Sequence, residues 1–76
     1  METRKIRLTQ IDEVKEFVNA ASGCDFDVDI FYNRIVVDAK SLLGVLSLDL
    51  TRVLHVSCQE YNSNFEHTLN KFASYM

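Results

Sequence analysis

The sequence predicts an α+β fold, an open-faced sandwich in which a four-stranded antiparallel sheet carries three helices on one face. Three observations predict it: hydrophobic spacing switches between that of strands and that of helices, a two-residue turn joins two neighbouring strands, and a serine precedes a leucine-rich helical turn. With 76 residues, 47% of them hydrophobic, the chain can bury one core and is too short for two. We therefore expect one domain, residues 1–76, with the element order βαββαβα.

The first strand is expected at residues 5–8, where two aliphatic residues alternate with two basic ones and leave one apolar face. Thr9 and Asp12 fit a capping box, in which the Thr9 hydroxyl accepts from the Asp12 amide and the Asp12 carboxylate reaches back. Helical spacing then predicts a buried stripe: Ile11, Val14, Phe17, Val18 and Ala21. Gly23 is expected to end this helix in the left-handed conformation.

A β-hairpin is predicted next, because residues 25–32 alternate between mostly acidic and apolar side chains, and Asn33 with Arg34 fits a two-residue turn. This turn pairs three residues of each strand: Tyr32 with Ile35, Ile30 with Val37, and Val28 with Ala39. Their six apolar side chains then share one face of the sheet. The opposite face is expected to carry Asp27, Asp29 and Asp38, with Phe31 across from Val36.

The remaining elements are a short helix, a strand and a longer helix. Ser41 is expected to cap the short helix over residues 42–48, and residues 53–58 alternate as the fourth strand. Asn62 or Ser63 is expected to cap the last helix. Four residues at helical spacing should dock that helix on the core: Phe65, Leu69, Phe72 and Met76.

Charge and composition exclude several classes of partner. The net charge is −3, from 11 acidic and 8 basic side chains, so the chain lacks the clustered Lys and Arg that nucleic acid requires. No apolar run approaches the roughly 18 residues that span a bilayer, and no secretory signal segment begins the chain. We expect a soluble cytoplasmic protein with neither nucleic acid nor a membrane as partner, in which Cys24 and Cys58 remain reduced.

Two side-chain groups suggest a metal site and neither fits one. The first is Cys24, His55, Cys58 and His67, whose spacing matches no standard zinc motif. The aspartates of residues 25–29 begin like a calcium loop, but Ile30 and Val36 stand where that loop needs glycine and glutamate. We therefore expect no metal and no cofactor, and interpret the aspartates as an acidic strand edge that discourages aggregation.

Residues 32–48, YNRIVVDAKSLLGVLSL, combine the hairpin with the serine helix, and this segment closely resembles the regulatory-serine segment of HPr. HPr proteins are the small phosphocarriers of the bacterial sugar phosphotransferase system. Their order of elements is the one predicted above, so the resemblance spans almost the whole chain. It implies an HPr-like open-faced sandwich whose sheet runs in the order first, fourth, second, third strand. One departure is Asp49, which replaces the glycine that usually ends the second helix.

The phosphohistidine site of the HPr family is absent from this chain. In that family a Gly-x-His-x-Arg-Pro loop begins the first helix, and its histidine carries the phosphoryl group. Here there is no proline, and aligning back from the serine segment puts Gln10 at the histidine position, with Asp12 and Glu13 at the arginine and proline positions. An amide cannot accept the phosphoryl group, and two carboxylates repel a phosphate. We therefore expect no catalytic residue and no enzyme activity.

Two features of the resemblance remain as candidate sites. Ser41 matches the serine that a regulatory kinase phosphorylates in many HPr proteins, and a phosphate there would meet helix N-terminal amides. The simpler interpretation is a helix cap alone. Three leucines match the family's docking patch for enzymes and regulators, with ordinary packing as the alternative: Leu42, Leu43 and Leu46.

The resemblance implies a regulatory or binding module that has lost phosphohistidine transfer. Its expected partners are phosphotransferase-system enzymes, a serine kinase or a transcription regulator. Two alternatives stay open. The first is a working phosphocarrier that uses an unrecognised acceptor, for which His55 is the only candidate, and the second is a scaffold or dimerisation domain without phosphate chemistry.

Overall fold

The computed structural model describes residues 3–75, in which four strands and three helices alternate in the order βαββαβα. The strands are β1 (Thr3–Ile6), β2 (Val28–Tyr32), β3 (Ile35–Asp38) and β4 (Leu54–Cys58). The helices are α1 (Ile11–Ser22), α2 (Leu42–Leu46) and α3 (Ser63–Lys71). The predicted α+β class and element order are confirmed, although β1 begins and ends two residues earlier than the alternation at residues 5–8 suggested.

All strand pairs are antiparallel, and the sheet runs in the order β1-β4-β2-β3. The hairpin register is the predicted one, since Tyr32 pairs with Ile35, Ile30 pairs with Val37, and the Ala39 amide donates to the Val28 carbonyl at 2.9 Å. Asn33, the first turn residue, has φ 53°, which the first central position of a two-residue hairpin turn requires. The interpretation of the aspartates as a strand edge is wrong, because Asp29 lies in β2, inside the sheet, and Asp25 and Asp27 precede that strand.

The core lies between the helices and one face of the sheet. Five sheet residues of that face are at most 1% exposed: Ile6, Val28, Ile30, Leu54 and Val56. The rings of Phe17 in α1 and Phe65 in α3 meet over them, with centroids 5.8 Å apart. The apolar stripe of α1 is buried as predicted except at Ile11, which is 59% exposed. Leu8, just before the helix, is fully buried and fills the core at that end.

Both predicted ends of α1 differ in detail. Thr9 does not accept from Asp12; instead its amide and hydroxyl both donate to Glu13, whose side chain is one methylene longer, and Gln10 is the N-cap. Gly23 has φ −78° and is right-handed, so the predicted left-handed conformation is wrong. The Gly23 and Cys24 amides donate to carbonyls three residues back, which continues the helical turn without positive φ.

The later helices have the predicted caps. The Ser41 hydroxyl accepts from the Gly44 amide, and the Asn62 side chain accepts from the Phe65 amide at 2.9 Å. The short helix ends at Leu46, two residues before the predicted end, and the Ser47 hydroxyl bonds back to the Gly44 carbonyl at 2.6 Å. Met76 lies outside the described residues. Within residues 3–75, no helix is both long and apolar enough to cross a membrane.

Candidate functional site

At the start of α1, the Glu13 carboxylate accepts hydrogen bonds from Thr9, the residue before the N-cap. Glu13 Oε1 accepts from the Thr9 amide at 2.7 Å and from the Thr9 hydroxyl at 2.9 Å. These bonds favour the charged carboxylate and hold the pKa of Glu13 below its ordinary value. Gln10 is exposed and its side chain makes no cap hydrogen bond, while Asp12 adds a second acidic group to the first turn. An incoming phosphate would meet negative charge where a free helix start offers donors.

Neither histidine is placed at the start of a helix. His67 is exposed within α3. His55 is half-buried in the middle of β4 on the open face of the sheet, where its ring stacks on Phe31 with centroids 5.4 Å apart and 24° between the planes. The face opposite the helix layer therefore holds His55, away from the backbone amides at the helix starts.

The start of α2 is exposed and ordered by short-range hydrogen bonds. The Ser41 hydroxyl oxygen accepts from the Gly44 amide at 3.1 Å, and the Ser41 amide donates to the Asp38 carbonyl at 3.0 Å. Asp38 also accepts from the Lys40 amide at 2.9 Å. A Cβ at position 44 would lie 3.2 Å from the Ser41 hydroxyl oxygen, so the glycine leaves room for this cap. The hydroxyl is thus held in place at the surface.

The leucines that follow Ser41 divide between the core and the surface. Leu42 is half-buried and packs against the core, and Val45 is fully buried. Leu43 is 81% exposed and Leu46 is 37% exposed. We call Leu43 and Leu46 the leucine patch. Of the three leucines predicted as a docking patch, two are therefore free to contact a partner, and the third mainly anchors the helix.

Ile11 is an exposed apolar residue that the sequence pattern assigned to the core. It begins α1, which packs against α2, and it is 59% exposed. Its position on the apolar stripe indicated burial. The contrary signal is its place as the first helical residue, between the polar Gln10 and Asp12.

A shallow cleft of about 250 Å³ lies beside the start of α3, and two of the charged side chains that line it are paired with each other. Arg4 forms an ion pair with Glu66 and donates to the Asn70 side chain at 2.6 Å. Burial raises the pKa of the Cys58 thiol, which keeps it protonated near neutral pH. Cys24 and Cys58 are both free thiols. Within residues 3–75, no cluster of three His, Cys, Asp or Glu side chains could hold a metal ion.

The sequence matches no protein-family model and no curated protein.

Proposed function

We propose that this chain is an HPr-like regulatory module that binds protein partners through the leucine patch and is phosphorylated at Ser41. The observation that carries the proposal is the exposed, ordered Ser41 hydroxyl beside two exposed leucines, at the start of a helix that is itself anchored by Val45. A kinase could reach the serine and hold the patch at the same time, since both lie within two turns of the same surface segment.

Two further features support the relation to HPr proteins. The strand order β1-β4-β2-β3 is the order that the resemblance implies. The segment of residues 32–48 that carries the resemblance forms the hairpin and the capped helix in the expected register. Both are properties of the fold, so they support the family and leave the chemistry to be tested.

Loss of phosphohistidine transfer is the second part of the proposal. The first turn of α1 has no histidine, and the Thr9 donors are occupied by Glu13. A phosphoryl group would have to displace an internal carboxylate and approach Asp12. The module would therefore receive a regulatory phosphate on serine without relaying one to sugar.

The deciding experiment is incubation with the HPr-family serine kinase and ATP, followed by intact-mass measurement. We expect one added phosphate on the native protein and none on Ser41→Ala. Ser47→Ala is the matched control, because Ser47 is an exposed serine at the other end of α2, and this variant should be phosphorylated like the native protein. No added mass on the native protein, or the same added mass on Ser41→Ala, contradicts the regulatory site.

A separate experiment tests the relay. Incubation with phosphoenolpyruvate and the first enzyme of the phosphotransferase system should leave the protein unphosphorylated. Acid-labile phosphate on the native chain would overturn the binding-module proposal, and its absence from His55→Ala would locate the acceptor. A family HPr protein with its histidine serves as the positive control for the enzyme.

A further inference from the structure

The two edges of the sheet differ in whether another segment of the chain is hydrogen-bonded along them. At the β1 edge, the Arg7 amide donates to the Phe72 carbonyl at 2.9 Å, and the Ser74 amide donates to the Lys5 carbonyl at 2.8 Å. The segment after α3 therefore covers β1. Within residues 3–75, no comparable segment lies along the outer side of β3, the opposite edge.

The register of the hairpin shows which backbone groups of β3 point outward. In an antiparallel pair, alternate residues turn both their amide and carbonyl groups toward the partner strand. Ala39 donates inward to Val28, so residues 35, 37 and 39 face β2, and Val36 and Asp38 face away from it. The Asp38 carbonyl is taken by the Ser41 amide, which leaves both groups of Val36 and the Asp38 amide at the open edge.

The side chains of this edge are apolar in the middle and charged at the ends. Val36 is 59% exposed and Ile35 is 47% exposed. Arg34 precedes the strand, Asp38 ends it, and both are exposed. The strand contains no proline and its pairing with β2 has no bulge, so two of the features that protect an edge from another strand are absent from it.

We propose that β3 pairs antiparallel with β3 of a second copy of this chain, about a two-fold axis at Val36. The two Val36 residues would then exchange both backbone hydrogen bonds, as their outward groups require. Ile35 would lie opposite Val37 of the second copy. Arg34 would lie opposite Asp38 of the second copy, and the two-fold axis would repeat that ion pair at the other end.

Charge favours a second copy over an unrelated strand. Asp38 lies directly across from Asp29 within the sheet, and like charges in that position are destabilising. Within residues 3–75, no ion pair of Arg34, Asp29 or Asp38 is formed. In the proposed register, Arg34 of each copy would lie beside the Asp29 and Asp38 carboxylates of the other copy. A second copy of this chain therefore supplies the positive charge that these carboxylates lack. The proposed pairing of β3 does not involve Ser41 or the leucine patch.

The association should be weak, because the edge strand has four residues. Interfaces of this small size support transient complexes. Sedimentation velocity over a concentration series that reaches about 1 mM is therefore the suitable measurement. We expect the native protein to shift from monomer to dimer within that range. A native protein that stays monomeric throughout it overturns the proposal.

Charge reversal tests the register and controls for folding in the same experiment. Arg34→Glu puts two acidic residues opposite each other in its own dimer, and Asp38→Arg puts two basic residues opposite each other. Each variant alone should be monomeric at every concentration tested. In an equimolar mixture, a mixed dimer would pair the introduced glutamate with the introduced arginine at one end and Asp38 with Arg34 at the other. The mixture should therefore dimerise like the native protein. Failure of the mixture to associate, or unchanged dimers of either variant, contradicts the register.

The backbone is tested by Val36→Pro, with Val36→Thr as the matched control. Proline removes the outward amide of Val36 and no hydrogen bond of the β2–β3 ladder, and edge strands tolerate it. Threonine keeps both the amide and the β-branched shape. Proline should abolish dimers and threonine should retain them, with unchanged circular dichroism for both. Dimers that survive Val36→Pro and disappear in Leu43→Asp would place the contact on α2 and overturn the proposal.

Discussion

The starts of α1 and α2 differ in the side chain that accepts hydrogen bonds there, which is a charged carboxylate at α1 and a neutral hydroxyl at α2. Both leave unpaired amide groups in their first turn, and both lie at the surface. At α1 the donors of Thr9, the residue before the N-cap, are taken by the Glu13 carboxylate, so a negative charge already lies there. At α2 a neutral serine accepts one amide hydrogen, and no acidic residue stands in the first turn.

This difference indicates which of the two helix starts could accept a phosphate group. A helix start that already holds a carboxylate gains little from a second anion and repels it. A helix start capped by a hydroxyl can be changed after synthesis, because phosphorylation adds charge at that same atom. Under the proposed function, phosphorylation would act at the start of α2, and the start of α1 would take no part in it.

The two helices also differ in how many of their residues are buried in the core. The 12 residues of α1 include four buried ones, whereas the five residues of α2 include only Val45. Few buried contacts lower the free energy needed to open a segment locally. We therefore expect α2 to open locally at a lower cost in free energy than α1.

The largest expected effect on the free energy of unfolding comes from removing the buried ring of Phe17 in α1. Phe17→Ala should lower the free energy of unfolding by about 3–5 kcal/mol, because a fully buried ring that packs on Phe65 leaves a cavity. Val45→Ala should cost less, since fewer buried atoms are lost. Urea unfolding with fluorescence or circular dichroism measures both. Where Phe17→Ala does not fold, Phe17→Leu gives the smaller loss of the same sign, and an equal or larger cost for Val45→Ala would contradict the comparison.

The next effect compares the two caps directly. Ser41→Ala should lower the free energy of unfolding by about 1 kcal/mol, because the Gly44 amide loses its acceptor. Gln10→Ala should change it by less than about 0.5 kcal/mol, because the Gln10 side chain accepts no cap hydrogen bond. The same unfolding measurement serves both variants. Equal losses would mean that the two helix starts do not differ in the way described.

Where local rules act alone, the sequence predicts this structure well. The register of the hairpin follows from strict alternation on both sides of a two-residue turn, and it is confirmed. The caps at Ser41 and Asn62 follow from short polar residues just before helical apolar spacing, and both are confirmed. These features depend on residues within a few positions of each other, so one sequence is enough to find them.

The sequence predicts the start of α1 less well, because two local rules compete there. Asp12 and Glu13 both stand near Thr9, and the usual capping-box spacing selects Asp12. The longer Glu13 side chain reaches both Thr9 donors instead. Helical period also put Ile11 in the core, yet Leu8 fills that end. The interior position of β2 depends on pairing with the distant β4, which periodicity within β2 does not specify.

A smaller effect concerns the pH dependence of the α1 start. The Thr9 donors lower the pKa of Glu13 from its ordinary value of 4.5, so the folded state is stabilised above that value. This stabilisation is lost as the pH falls through the lowered pKa of the folded state. Glu13→Gln should therefore be less stable than the native protein at neutral pH, with a difference that shrinks below pH 4.5.

Thermal unfolding from neutral to acid pH measures this difference. Hydrogen bonds from Thr51 likewise lower the pKa of Asp49, an exposed group at the far side of α2, so acid sensitivity will remain in Glu13→Gln. Asp49→Asn is the matched control: it should remove a different part of the acid sensitivity and leave that of Glu13 intact. A constant difference between native and Glu13→Gln proteins at all pH values would contradict the role given to the Thr9 bonds.

The smallest effect on stability is expected at the leucine patch, and it is the most informative about function. Leu43→Asp should change the free energy of unfolding by less than about 0.5 kcal/mol, because Leu43 is 81% exposed. If the patch docks the serine kinase, the same variant should lower kcat/KM for phosphorylation of Ser41 by about tenfold. Tyr61→Asp, at an exposed residue beside α3, is the matched control and should change neither quantity.

Leu42→Asp completes the set, because Leu42 packs against the core and should lose stability. A residue that lowers phosphorylation without lowering stability acts on the partner, and one that lowers both acts through the fold. A marked loss of stability in Leu43→Asp would assign the patch to packing within this chain. Unchanged kcat/KM with unchanged stability would remove the leucine patch from the kinase contact and leave Ser41 to be recognised by its backbone and its neighbours alone.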